Sequence, residues 1–196
     1  MLAQEALNHG IAESCPSALA LVDEVKKLPM GPAASFHAGL AAGLCGDLPF
    51  ATRMASTLEQ RYPKSEVVIR TYLPLLQAAA EIGVNEPDEA LKFLATLKAN
   101  DSMPIASYLR GMAQSALGNS SAAILDFQNV QVHPGASLLW GGTIYPAAEI
   151  QSARTYSEAR DKSDSIAAYR RFLALWGDAN PSQPLLMEAL AKTGPH

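Results

Sequence analysis

Small residues recur along this chain at a spacing that suits paired helices. In the segments 39–58, 78–97, 111–130 and 153–172 a small residue (Gly39, Ala78, Gly111, Ala153) is followed twelve positions on by a second (Ala51, Ala90, Ala123, Ser165). Seven further on stands an apolar residue (Leu58, Leu97, Val130, Phe172), with Ala55, Leu94, Phe127 and Tyr169 between. Positions three, four and seven apart share one helix face. Two antiparallel helices approach closely only where facing side chains are small, with larger ones filling the flanks. The pattern therefore predicts serial helical hairpins.

Turn chemistry falls where those hairpins need it, at Gly46-Asp47-Leu48-Pro49, Val84-Asn85-Glu86-Pro87-Asp88, Gly118-Asn119-Ser120-Ser121 and Arg160-Asp161-Lys162-Ser163-Asp164. The repeats so delimited are 33–63, 65–99, 104–134 and 144–177 within a single domain, 1–196. Their helices are expected over about 33–45 and 49–61, 65–82 and 86–98, 104–117 and 120–132, and 145–159 and 163–176. Residues 1–32 read as a partial N-terminal pair (1–8 and 16–28), in which Ala18, Val22 and Val25 repeat the second-helix spacing before Pro29-Met30-Gly31-Pro32. Pro74 lacks the donor that helix 65–82 needs, so a kink or a restart near Thr71 is expected. The longest irregular stretch is 133–143, with Trp140-Gly141-Gly142. A capping helix over 182–193 should open with Ser182 as cap and Pro184 in its first turn, and cover the end of the array with Leu185, Leu186 and Leu190.

This frame resembles the tetratricopeptide repeat, a helix-turn-helix of roughly 34 residues with small residues at the crossing. Residues 111–127 (GMAQSALGNSSAAILDF) match it best, and Pro63 and Pro134 sit where that repeat often ends in proline. The aromatic common three places after the first small residue survives as Tyr156, being Ala42, Glu81 and Gln114 elsewhere. The resemblance implies an all-α fold: a right-handed α-α superhelix of about four hairpins, plus the partial N-terminal pair and a C-terminal capping helix. Tyr108-Leu109-Arg110-Gly111 and the run 168–176 (AYRRFLALW) look like the C-terminal repeat region of bacterial serine/threonine kinases and winged-helix regulators. With no Gly-rich loop before a Lys, no HRD and no DFG, the resemblance implies that repeat region without its effector domain.

Composition narrows the function. Hydrophobic residues are 48% and charged ones 17%, which suits a globular helical chain. A net charge of -4 argues against a partner bound by neutralising phosphates, so nucleic acid is not expected. No apolar run approaches the roughly 18 residues of a membrane span, and the first residues lack a basic leader region, so no membrane insertion is expected. Cys15 and Cys45 read as reduced core thiols that would pair only outside the cytoplasm. The expected location is cytoplasmic, the alternative being the extracytoplasmic region of a membrane-anchored kinase.

No catalytic, metal or cofactor residues are predicted. His9, His37, His133 and His196 lack the spacing of a helix-borne metal pair, and His37 and Cys45 lie two helical turns apart. There is no GxSxG, Asp23-Glu24 and Asp88-Glu89 read as solvated charges, and Gly141-Gly142 lacks the context of a phosphate loop. The expected site is a concave wall of first-helix residues: Phe36 and Leu40, Leu75 and Ala79, Tyr108 and Met112, Ile150 and Arg154. Lys and Asn are absent there, which disfavours a carboxylate clamp for chaperone tails. Phe36, Tyr108, Met112 and Arg154 are the candidate contacts for a peptide or helix of a partner protein. The bland alternative is that these side chains pack internally. Two other readings are a self-association unit forming a homodimer and an enzyme with an unrecognised site.

Overall fold

A computed structural model describes residues 1–97, 103–132, 142–177 and 183–194. All regular structure among them is helical. The periodicity carries no break near residue 102, but the chain gathers into two compact units, Met1–Ser102 and Met103–His196. The first holds α1 (Leu2–Ile11), α2 (Cys15–Val25), α3 (Pro32–Leu44), α4 (Leu48–Arg61), α5 (Leu73–Gly83) and α6 (Pro87–Leu94). The second holds α7 (Pro104–Ala116), α8 (Ser120–Gln131), α9 (Ile144–Glu158), α10 (Lys162–Trp176) and α11 (Pro184–Thr193).

One turn is used five times. Glu13, Gly46, Asn85, Gly118 and Arg160 all have φ between 58° and 78°, at successive intervals of 33, 39, 33 and 42 residues. After each of them an N–H bonds the carbonyl five residues back: Ser14 to His9, Asp47 to Ala42, Glu86 to Glu81, Asn119 to Gln114 and Asp161 to Tyr156, at 2.8 to 2.9 Å. This is the left-handed close of a Schellman motif, and it satisfies carbonyls that the helix end would otherwise orphan. Asp47 and Asp161 then cap the next helix, accepting from Phe50 N and Asp164 N. Residues 1–32, expected as a partial pair, thus contain a full hairpin, α1/α2. Its turn was invisible in the sequence because glutamate, not glycine or asparagine, takes the left-handed position.

The crossing residues are buried as the spacing demands, Ala6 and Ala18 of the first hairpin included. In the fifth hairpin Ser165 Oγ donates to the Ala153 carbonyl at 2.8 Å, joining the two crossing positions directly. In the fourth, Gly111 packs against the Phe127 ring, which a Cβ there would meet at 2.5 Å. Leu97 departs from the frame, since α6 ends at Leu94 and leaves it beyond the helix.

In the first unit the leading helices pack in series, α1 on α3 and α3 on α5. Gly10 lies on the Ala41 backbone, a Cβ at Gly43 would fall 2.9 Å from Ala80 N, and one at Gly83 would overlap the Gly43 carbonyl. Close backbone approach brings Cys15 and Cys45 together with Cα atoms 5.4 Å apart, and they form a disulfide. This corrects the expectation of reduced thiols. The stacking of α1 on α3 sets the start of α2 beside the end of α3, a proximity no local spacing reveals. Pro74 is absorbed by a π-helical turn, Val68–Tyr72, that restarts as α5 with the proline in its first turn.

In the second unit α9 packs on α8 and α7, and α11 closes over α10 and the edge of α9. Leu185, Leu186 and Ala189 of α11 join Ile150, Tyr169 and Phe172 in one core. Leu190, expected in that stripe, is 48% exposed. Glu188 faces inward, and a residue two positions on lies about 200° around the helix. Gln183 stands at the N-cap position of α11. The expected cap Ser182, the segment 133–141 with Trp140, and Pro134 lie outside the described residues.

Candidate functional site

The expected wall of first-helix residues is largely interior. Phe36 is 0% exposed and stacks on Tyr72 with centroids 4.1 Å apart, while Tyr108 is 1% exposed and tilts against Phe127 at 6.2 Å. Leu40, Leu75, Ala79 and Ile150 are buried as well. Phe36 and Tyr108 are therefore core residues, not groove contacts: the helix face expected to line a groove is occupied by neighbouring helices and the π turn. Phe36 belongs to the first unit, and Tyr108, Met112 and Arg154 to the second.

Met112 and Arg154 stay partly exposed. Arg154 on α9 grips Glu188 of α11, Nε to Oε1 at 3.0 Å and Nη2 to Oε2 at 2.5 Å. The Tyr169 hydroxyl donates to Glu188 Oε1 at 2.7 Å. Burial pushes the Glu188 carboxyl up, but the hydrogen bonds from Arg154 and Tyr169 and the charges of Arg154 and Lys192 together hold it below 4.5. Burial, then the hydrogen bond to Glu188, drives the Tyr169 phenol far above its ordinary range. Arg154 thus fastens helices together, a role its sequence position did not reveal because its partner lies 34 residues away.

Two concavities are lined by described residues. In the first unit α4, α5 and α6 line a groove of about 260 Å³. Its apolar floor is Ala51, Ala55, Leu73, Leu76 and Ala80, with Phe93 on one wall. Hydrogen-bonding residues edge it, Thr52, Ser56 and Glu59 on α4 and Gln77 and Glu81 on α5. The signal available in sequence was an alanine pair four apart, Ala51 and Ala55, flanked by Thr52, Ser56 and Glu59, which gives a second helix a shallow face. In the second unit a cleft of about 340 Å³ is lined by Ser157, Arg160, Lys162, Ser165, Ile166, Tyr169 and Lys192.

Other buried charges serve the scaffold. Asp126 accepts from Arg110 Nε at 2.7 Å and Glu149 from Arg171 Nε at 2.9 Å. Burial raises both carboxyls above their ordinary values, the paired arginine offsetting part of the rise. Burial, with the positive N-terminus, pushes His37 below 6.5. Among the described residues no group of three His, Cys, Asp or Glu is placed to hold a metal ion, and no helix is long and apolar enough to cross a membrane.

No protein-family model, curated protein or solved structure matches the chain.

Proposed function

We propose that this chain is a non-catalytic binding module of tetratricopeptide type, and that it takes a segment of a partner protein in the groove between α4, α5 and α6. The observation that carries the reading is that groove itself, an apolar floor bordered by groups that can hydrogen-bond a backbone. The five copies of one turn and the small crossing residues support the repeat assignment, and a right-handed superhelix is part of the same proposal. Glu59 and Glu81 at the rim favour a segment carrying apolar anchors beside Lys or Arg. The Cys15–Cys45 disulfide supports an oxidising compartment, the extracytoplasmic alternative, over the cytoplasm.

The test is selection from a displayed random-peptide library by the purified chain. Peptides with apolar residues flanked by basic ones are expected, and Ala55→Trp, which fills the groove from its partly exposed floor, should cut their binding by at least about tenfold. Equal binding by a folded A55W chain would remove the groove from consideration.

A further inference from the structure

The cleft of the second unit differs from its surroundings in charge. The chain carries a net charge of -4, yet Arg160, Lys162 and Lys192 line this one opening and no carboxylate does. In the first unit Lys26, Lys27 and Lys92 pair locally, with Asp23, Glu24 and Glu89. Arg160, Lys162 and Lys192 make no ion pair with any described acid. Two of the nearby acids are engaged elsewhere. Asp161 turns its side chain to the Asp164 N–H of its own helix, and Glu188 is held by Arg154 and Tyr169.

The repeat supplies internal controls. Where the fifth turn has Arg160 in the left-handed position, the other four have Glu13, Gly46, Asn85 and Gly118. Where it has Lys162 two residues on, they have Cys15, Leu48, Pro87 and Ser120. Neither cation is needed for the turn, and α11 brings Lys192 to the same opening. Ser157 adds an exposed hydroxyl, while the partly exposed Ile166 adds apolar surface. A volume of about 340 Å³ exceeds what a bare oxyanion fills and lies in the range of small-ligand pockets.

We infer that this cleft binds a phosphate monoester, its dianion held by Arg160, Lys162 and Lys192 and its organic part resting on Ile166. Three cations lining one cleft oppose a dianion in charge, and a guanidinium can take two of its oxygens at once. The site is independent of the groove in the first unit, so either can fail without the other.

The experiment is calorimetric titration of the full chain at pH 7.5 and low salt with inorganic phosphate and, separately, with O-phosphoserine. Saturable binding in the low millimolar range or tighter is expected, weakening as NaCl is raised. Phosphoserine tighter than phosphate assigns the ligand to a phosphorylated organic group, as inferred; phosphate equal or tighter overturns that part. Arg160→Gln/Lys192→Gln should weaken binding at least about tenfold, whereas Arg53→Gln/Arg61→Gln in the first unit should leave it unchanged. Lys192→Glu, a single exposed change, gives a second reading should the double variant fold poorly. No saturable binding, or equal binding by a folded R160Q/K192Q or K192E chain, overturns the site.

Discussion

The two units repeat one hairpin and hold it together by different chemistry. In the first, helices meet backbone to backbone through Gly10, Gly43 and Gly83, and a disulfide joins the leading hairpins. In the second, rings and ion pairs span the helices: Phe127 against Gly111, Arg110 to Asp126, Arg171 to Glu149, and Arg154 with Tyr169 on Glu188. Ser115 and Thr155 hydroxyls meet at 3.0 Å between α7 and α9. The shared turn closes each hairpin. Beyond that turn, close backbone contact joins helices in one unit, and ion pairs and hydrogen bonds join them in the other.

The largest contrast should come from the disulfide. Its loop spans 30 residues, and opening such a loop by Cys15→Ser/Cys45→Ser should cost about 3.5 kcal/mol through the freed unfolded chain. Hydrogen exchange should register the loss in α1 to α4 and leave α9 and α10 protected; equal loss in both would deny that the units are held separately.

Glycine substitutions come next. Gly83→Ala drives a Cβ into the Gly43 carbonyl, a backbone atom that cannot step aside, whereas Gly111→Ala meets a phenyl ring that can turn. Urea unfolding should show a loss of about 3 kcal/mol for G83A and about half that for G111A. The reverse order would place the tight packing in the wrong unit.

Glu188→Ala tests the second unit on its own terms. It removes the Glu188 carboxylate from Arg154 and leaves the Tyr169 hydroxyl without that acceptor. A loss of about 2 kcal/mol is expected, recovered in part by Glu188→Gln, which still accepts from Tyr169. No loss in denaturant midpoint would reduce the network to a surface decoration.

The smallest effect is one of sign. His37 has a folded pKa below 6.5, so its contribution to the first unit is present above that pH and is lost as acid is added. Asp126 and Glu149 have raised pKa values, so the second unit gains stability as pH falls through them toward 4. Glu188, with a lowered pKa, acts oppositely but only below about 4.5. As pH falls below 6.5, exchange protection should fall in α3, and as it falls on through the raised carboxyl pKa toward 4.5, protection should rise in α9. His37→Gln should flatten the first trend and Glu149→Gln the second; a common sign in both units would contradict the assignment.

Much of the hairpin was legible before folding. Gly46, Asn85 and Gly118 marked turns, and small residues twelve apart marked four of the crossings, because these interactions close within about twenty residues. Pro74 likewise signalled a restart, though not that a π turn would supply it. Glu13 and Arg160 occupy the same conformation with side chains that do not favour it, and only the surrounding helices hold them there.

Beyond the hairpin, helical periodicity tells which side chains share a face but not what that face will meet. Phe36 and Tyr108 looked like groove contacts on their own helices, and Tyr72 and Phe127 made them core. Cys15 found Cys45, Arg154 found Glu188, and Lys192 came beside Arg160 and Lys162 only through packing between elements about 30 residues apart. The amino-acid sequence by itself determined the helices, their turns and their crossings, which are short-range matters of backbone conformation and side-chain size. Which faces became core, groove or charged cleft was decided by tertiary structure, because burial and charge balance are properties of neighbours that meet only when the hairpins stack.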